Sequence, residues 1–531
     1  MTVAMPVIGR ELNMNGVLLS WVPAAYNLSA AMFLLPLGRL ADIKGREKLF
    51  KIGLAFFTLF SLGCALAWDA TSLIAFRYLQ GLGGGMIFGT SSAILAAYFP
   101  REERGKAFGI YTSGIYLGNS LGPALGGFIT QSLGWRSIFG ISAALALAAT
   151  LFAFSRLQDR PVDTLGKVDI PGCTAYSLSL VLIMLGLSRL PSPMAGMLLV
   201  VGVAGLFAFG FIELRSPSPV LDLRAFRGNP GFIFSNLAAL IGITATFAVS
   251  FLVSLYLQYI KGMFPGQAGL TMVLLSLTTA VVSSYAGKLS DKVDASKIAT
   301  VGMGLSAVGL GALIFLNAAT PVWVIVAYLA FLGLAFGLFS SPNTKAVMNS
   351  ADKKDFGVAS AALSTMRTLG MNLSMGIIMM LFSITMGRTR ITPEYYGVYL
   401  KCMRLGFSIF AALCVGGIFA SLPIGKKRSS GARSVAADLG FGLLIDSSQC
   451  DGCLACEAAC RMEHNGRPGI RVTDRVPAPP EYCDMCVERT KRGELPVCVE
   501  QCPVHCIRHG LLPELAIEAA RRPGTVVFTP H

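Results

Sequence analysis

Histidine is almost missing from this chain of 531 residues. There are four, His464, His505, His509 and His531, and all lie towards the C-terminus. Everything before them lacks an imidazole with which to relay protons or bind a metal. Charge is scarce as well: Asp, Glu, Lys and Arg make up 14% of residues, and mean hydropathy is +0.63. Those figures exclude a soluble protein of this length. Acidic residues are the scarcer sign, 29 against 44 basic ones. From Asp446 onward there are ten Lys/Arg and twelve Asp/Glu, so the net charge of +15 resides wholly in the preceding part, at +17. That excess is not a nucleic-acid footprint, because the basic residues occupy short stretches between long apolar runs. The runs are continuous rather than alternating, which excludes a closed β-barrel.

Charge-free windows long enough to cross a hydrocarbon core, which takes roughly 20 residues of helix, cover 12–38, 52–68, 78–100, 107–135, 137–155, 170–188, 190–212, 228–260, 262–287 and 405–425. The window 298–344 holds two crossings around Asn317–Pro321, and 357–386 holds one more with a single charge, Arg367. The pattern predicts thirteen full helices in a lipid bilayer, with no Asp or Glu inside any window. Alternate connections carry 24 Lys/Arg on one side and 8 on the other. The positive side faces the cytoplasm, so a multi-pass inner (plasma) membrane protein with a cytoplasmic C-terminal part is expected. An even topology asks for one more helix before 12–38, where only Met1–Ile8 precedes Gly9-Arg10-Glu11. Eight residues at about 1.5 Å each span less than half the core, and no signal-peptide pattern is present. The first helix is expected to be truncated.

Three segments carry more than hydrophobicity. Gly38-Arg39-Leu40-Ala41-Asp42-Ile43-Lys44-Gly45-Arg46 joins two helices by a short loop. Its glycines permit a tight turn, and Asp42 is suited to a charge latch with a helix N-terminus or a loop Arg such as Arg46; a plain topogenic loop would look similar. Arg77-Tyr78-Leu79-Gln80-Gly81 puts an Arg inside a helix. Such a residue is costly unless paired and is a functional candidate, with Gln80 beside it, although an Arg near a helix end also snorkels. Gly118-x3-Gly122-Pro123-x2-Gly126-Gly127 makes a kinked helix with a small-residue face, suited to close packing and bending. Tyr26, Asn27, Tyr111, Tyr116, Asn119 and Gln258 are further polar residues in apolar helices, either lining a cavity or bonding helix to helix.

In their order along the chain these segments resemble the major facilitator superfamily. Trp135-Arg136-Ser137, Ser341-Pro342-Asn343-Thr344 and Arg367-Thr368-Leu369-Gly370 are similar to its fourteen-helix drug:proton antiporter branch, over about residues 2–424. Gly287-Lys288-Leu289-Ser290-Asp291-Lys292 repeats the Gly38 segment in the second half, departing at Asp294, as two related halves rocking about a central site would have it. The resemblance implies proton-coupled efflux of small amphipathic substrates. It also implies an Asp in a first helix that this sequence does not contain, a candidate partner for Arg367.

Nine of the thirteen cysteines fall after Asp446, as Cys450-x2-Cys453-x2-Cys456-x3-Cys460 and Cys483-x2-Cys486-x11-Cys498-x3-Cys502-Pro503, with Cys506 left over. Two Cys-x2-Cys pairs alone would suit zinc; two four-member runs favour a pair of [4Fe–4S] clusters. In two-cluster ferredoxins the fourth Cys of each run serves the other cluster. On that pattern Cys450, Cys453, Cys456 and Cys502 hold one cluster, and Cys483, Cys486, Cys498 and Cys460 the other. The stretch from Tyr482 to Pro503 resembles electron-transfer subunits of the dimethyl-sulfoxide-reductase type. The expected organisation is an all-α polytopic membrane domain of major facilitator fold over 1–424, a basic linker over 425–440, and a small α+β ferredoxin-like domain over 441–531 with a redox partner protein. The alternatives are a membrane-anchored electron-transfer protein, or a fusion of a truncated transporter with a ferredoxin fragment. No enzyme site is expected.

Overall fold

The computed structural model describes residues 1–99, 103–159, 169–216, 229–351, 356–387 and 389–422, and towards the C-terminus 441–446, 449–450, 453–463, 471–473, 476–478, 486, 489, 494–511, 514–515, 519 and 525–528. The expected linker 425–440 and Cys483 lie outside the described residues. The chain divides into two compact units, Met1–Gly425 and Lys426–His531.

Among the described residues, every regular element of the first unit is a helix. A short α1 (Met5–Glu11) is followed by α2 (Gly16–Lys44), α3 (Arg46–Ala65), α4 (Ala70–Tyr98), α5 (Arg104–Leu133), α6 (Arg136–Arg156), α7 (Ile170–Arg189) and α8 (Pro193–Arg215). Next come α9 (Pro230–Thr246) and α10 (Val249–Leu255), a single crossing interrupted at residues 247–248 and ending in a π turn, Tyr256–Ile260. The set closes with α11 (Pro265–Lys292), α12 (Ala295–Leu313), α13 (Val322–Asn349), α14 (Phe356–Thr385) and α15 (Tyr396–Ser421). Among the described residues, eleven helical segments are long and apolar enough to cross a membrane. The helices α4 and α5 are two further long ones beside them.

The starts are written locally. Asn15 and Asp69 accept the amides of Leu18 and Ser72, at 2.8 and 2.7 Å. Pro171, Pro193, Pro230 and Pro265 sit in first turns, where a missing N–H costs nothing. The apolar windows foresaw these helices, but their ends differ where charge was taken as a boundary. The Gly38 segment is not a loop: α2 runs through it to Lys44, and the whole connection to α3 is Gly45, at φ 102°. Glycine alone adopts that angle without strain. The last helix begins at Tyr396 and carries Lys401 and Arg404 in its early turns, whereas the window began at 405. Glu213 lies inside α8 and is fully buried, so one helix interior does hold an acid.

Within lipid, apolar side chains alone do not draw helices together; close backbone approach does. The first-half helices α2, α3 and α4 and the second-half helices α11, α12 and α13 pack among themselves, and α7 pairs with α8. The halves meet through α5 on α11 and α2 on α14. A Cβ on Gly127 would stand 2.3 Å from the Pro265 carbonyl, and one on Gly269 2.3 Å from the Pro123 carbonyl. Two helices thus touch backbone to backbone, reciprocally. At the same end Gly16 abuts the Phe382 ring, Glu11 pairs with Arg136, and Arg390 bonds Asn13 at 2.8 Å. Arg136 holds the Glu11 carboxyl below the usual carboxylate range. Towards the other end of α5 the spaces beside Gly122, Gly118 and Gly114 are open, as is that beside Gly38 on α2. The two halves are thus held together by backbone contact between α5 and α11, with polar bonds beside it.

In the second unit a three-stranded antiparallel sheet has the order β4 (Ile507–Leu511), β1 (Phe441–Asp446), β5 (Thr525–Phe528). A two-stranded ribbon, β2 (Arg471–Thr473) with β3 (Val476–Ala478), and the packed helices Ala455–Glu463 and Val497–Glu500 complete its described elements.

The reciprocal contact yields a graded expectation. Gly127→Val forces α5 off α11 and costs about 1–3 kcal/mol or more, read as a lower melting temperature in detergent, whereas Gly118→Ala leaves that temperature unchanged because its space is open.

Candidate functional site

Arg77 is 8% exposed on α4. A guanidinium at that depth needs acceptors, and the local sequence supplies them one turn away. Its Nη1 donates to Gln80 Oε1 at 2.5 Å and its Nε to the Val22 carbonyl on α2 at 3.2 Å. Its face lies 4.5 Å from the Tyr26 ring and 5.9 Å from that of Phe139. Gln80 passes the chain on, donating Nε2 to Ser61 Oγ on α3 at 2.6 Å. Gly81 makes this possible, since a Cβ there would stand 2.3 Å from the Tyr26 carbonyl. Arg77 is thus bonded inward, to α2 directly and to α3 through Gln80, and does not snorkel.

The other candidates fall at several places. Asp42 and Arg46 form an ion pair at 2.7 Å across the one-residue turn, both about two-fifths exposed. In the second-half copy Asp291 pairs instead with Lys345 of α13, whose Nζ also donates to the Ser290 carbonyl at 2.7 Å, while Asp294 caps α12. The first latch is local and the second ties two helices. Gly118 and Gly122 border open space, and Pro123 and Gly126 lie beside the α5–α11 contact. Arg367 donates to Thr344 Oγ1 at 2.6 Å. Asn372 of α14 reaches across to the Asn27 carbonyl of α2 at 3.2 Å, a bridge between the halves that the motifs did not single out. Gln258 donates to the Val3 carbonyl at 2.7 Å.

In the second unit Cys456, Cys460, Cys486, Cys498, Cys502 and Cys506 are buried in one core, with Cys450 packed against it and Cys453 exposed. Cys456 lies within electrostatic range of Cys450, Cys453 and Cys502, and burial is the first cause that pushes its thiol up to about 11. Cys506 is part of this core: its Sγ is 3.4 Å from that of Cys502. Among the described residues no three His, Cys, Asp or Glu stand close enough to share a single ion. The ligands of a cubane stand at its corners, further apart than those of one ion. A buried, all-thiol lining of this kind suits a soft iron–sulfur group, though Cys483 is not among the described residues. Arg489 braces this core, with Glu500 at 2.5 Å, Glu494 at 3.5 Å and Glu463 at 3.8 Å.

Two helical halves that meet through α5 on α11 and α2 on α14, each with a copy of the same ion-pair segment, have the arrangement of a membrane carrier. Residues 1–375 match the family model of the Major Facilitator Superfamily. The chain belongs to that family and is a multi-pass transmembrane transporter. The riboflavin transporter RibZ of Clostridioides difficile is 28% identical over 431 residues, 80% of this chain and 93% of that protein. The cephamycin export protein CmcT of Amycolatopsis lactamdurans is 30% identical over 77% and 86%, and the multidrug resistance protein Stp of Mycobacterium tuberculosis 28% over 71% of each. Among solved structures, a bacterial homologue of the human lysosomal transporter Spinster, inward-facing and unoccupied, aligns with a TM-score of 0.57 at 16% identity, over 79% of this chain and 92% of that one. An autoinhibited peptide transporter of the POT family gives 0.59 at 16%, with the same coverage. At such identity the likeness concerns the fold.

Two substitutions probe these networks. Gln80→Leu strands Arg77 Nη1 and lowers stability by about 1–3 kcal/mol, more than Ser61→Ala, in paired thermal melts. Arg489→Ala removes three acceptors' partner and destabilises the C-terminal unit by about 1–2 kcal/mol, measured by proteolysis of that unit.

Proposed function

We propose that this transporter exports small amphipathic compounds from the cytoplasm in exchange for protons, and that its C-terminal unit holds two [4Fe–4S] clusters on the cytoplasmic side. The single observation that carries export is the family match over residues 1–375 together with relatives named for multidrug resistance and cephamycin export. The two halves rock about the α5–α11 contact at Gly127–Pro265 and Gly269–Pro123, while Asp42–Arg46 and Asp291–Lys345 brace the helix pairs that move.

For the C-terminal unit, Cys450, Cys453, Cys456 and Cys502 would hold one cluster, and Cys460, Cys483, Cys486 and Cys498 the other. The clusters supply one-electron transfer when bound. The chain's own part is to exclude water around the buried thiols, with Arg489 fixing the helices that carry Cys460 and Cys498.

Cells making the protein are expected to lose a preloaded amphipathic dye faster than cells without it, and an uncoupler abolishes the difference; equal loss in both sinks the export reading. Purified, anaerobically reconstituted protein is expected to carry about eight irons per chain and a visible band that bleaches on reduction. Zinc, or no metal, in place of iron sinks the cluster reading.

A further inference from the structure

The C-terminal unit buries one thiol that the cluster reading leaves without a task. Cys506 is 2% exposed and Cys502 4%, and their Sγ atoms are 3.4 Å apart. Cys450 is a further near neighbour of the Cys506 thiol. Cys450 and Cys502 both belong to the set proposed for the first cluster, so Cys506 adjoins the place of that cluster. The two thiols arrive on different elements. Cys502 follows the helix Val497–Glu500, whose Val497 carbonyl accepts the Gln501 amide at 3.0 Å. Cys506 directly precedes β4, its carbonyl accepting the Asp446 amide at 2.8 Å next to the Ile507–Ile445 pair. Between them the His505 amide donates to the Cys502 carbonyl at 3.2 Å, and His505 takes φ 50°. That is left-handed backbone, which costs energy for a residue with a side chain and gathers at functional sites. Of the four such non-glycine residues among the described ones, Leu454 and Cys486 also lie within the two cysteine runs. Strained backbone thus recurs where the chain aims a thiol, and Cys506 is aimed in the same way.

We propose that Cys506 shares with Cys502 the fourth ligand place of the first [4Fe–4S] cluster, either thiolate taking the same iron corner. The inference rests on the cluster reading and names a ligand that the spacing of the cysteines set aside. A thiolate–metal bond is about 2.3 Å long, with the zinc value as a guide, and two sulfurs 3.4 Å apart can both lie at that distance from one point. Each thiol is therefore in place to serve where the other does. Exchange between them moves one proton: the incoming Cys506 thiol gives its proton up, and the departing Cys502 thiolate takes one. Bonds to iron, protons and electrons are the same before and after, so the exchange needs no oxidant or reductant. A cluster held in this way survives the loss of Cys502.

The whole chain is reconstituted anaerobically with iron and sulfide, and iron per chain and the electron paramagnetic resonance spectrum of the reduced state are measured. Cys502→Ala is expected to keep about eight irons per chain, as is Cys506→Ala, whereas the double variant carries fewer. In the unaltered protein the first cluster gives two overlapping signals, one of which is lost in each single variant. Equal iron loss in Cys502→Ala and in the double variant overturns the proposal, and so does undiminished iron in the double variant. Should Cys502→Ala fail to fold, Cys506→Ala still decides, because it keeps every cysteine of the two runs; a spectrum identical to that of the unaltered protein overturns the proposal. Unaltered protein that carries zinc or no metal removes the cluster reading, and this inference with it. Full iron in the unaltered protein with no effect of Cys506 on iron or spectrum removes the inference alone.

Discussion

The membrane unit depends on two helices, α5 and α11, coming close enough for a glycine of each to rest on a carbonyl of the other. Between helices in lipid the hydrophobic effect supplies no net attraction, so the contact must come from dispersion between backbones and from the absence of side chains. Gly127 and Gly269 create it. The bonds from Asn372 to Asn27 and from Arg390 to Asn13 add polar contacts between the halves.

Around this joint, charge is buried sparingly, and Arg77 shows how one such charge is satisfied. Arg77 is held by a glutamine one turn away, a carbonyl on the next helix and two aromatic faces. Such acceptors spread one positive charge over α2, α3 and α4 without a carboxylate, which makes the three helices one electrostatic body.

Much of the architecture was legible because a crossing helix must be long and apolar, and that demand is visible residue by residue. What was lost followed from one simplification, that a charged residue ends a helix. Lys401 and Arg404 lie within α15, since long basic side chains can lie along a helix and put their charge at the interface. Arg39, Asp42 and Lys44 lie within α2. Glu213, one residue past a window's edge, proved fully buried. The signal that could have found it is the acid at Asp169 just before the next-door helix, because the two ends of a tight hairpin must meet. In the cysteine-rich unit the spacing pointed to eight ligands and set Cys506 aside, yet the chain folds Cys506 against Cys502. Spacing speaks of neighbours in sequence, and Cys506 is brought in by the start of β4, which pairs with β1.

The one-residue connection at Gly45 couples rotation to length. Each residue added to a helix turns everything after it by about 100°, so one amino acid inserted between Lys44 and Arg46 would swing the whole of α3 about its axis. Ser61, on which the Arg77 network ends, would then face away from Gln80. The turn at Gly45 is thus a phase-setting element for a polar network some four helical turns deeper, and tolerance to insertion there should be far lower than at ordinary surface loops.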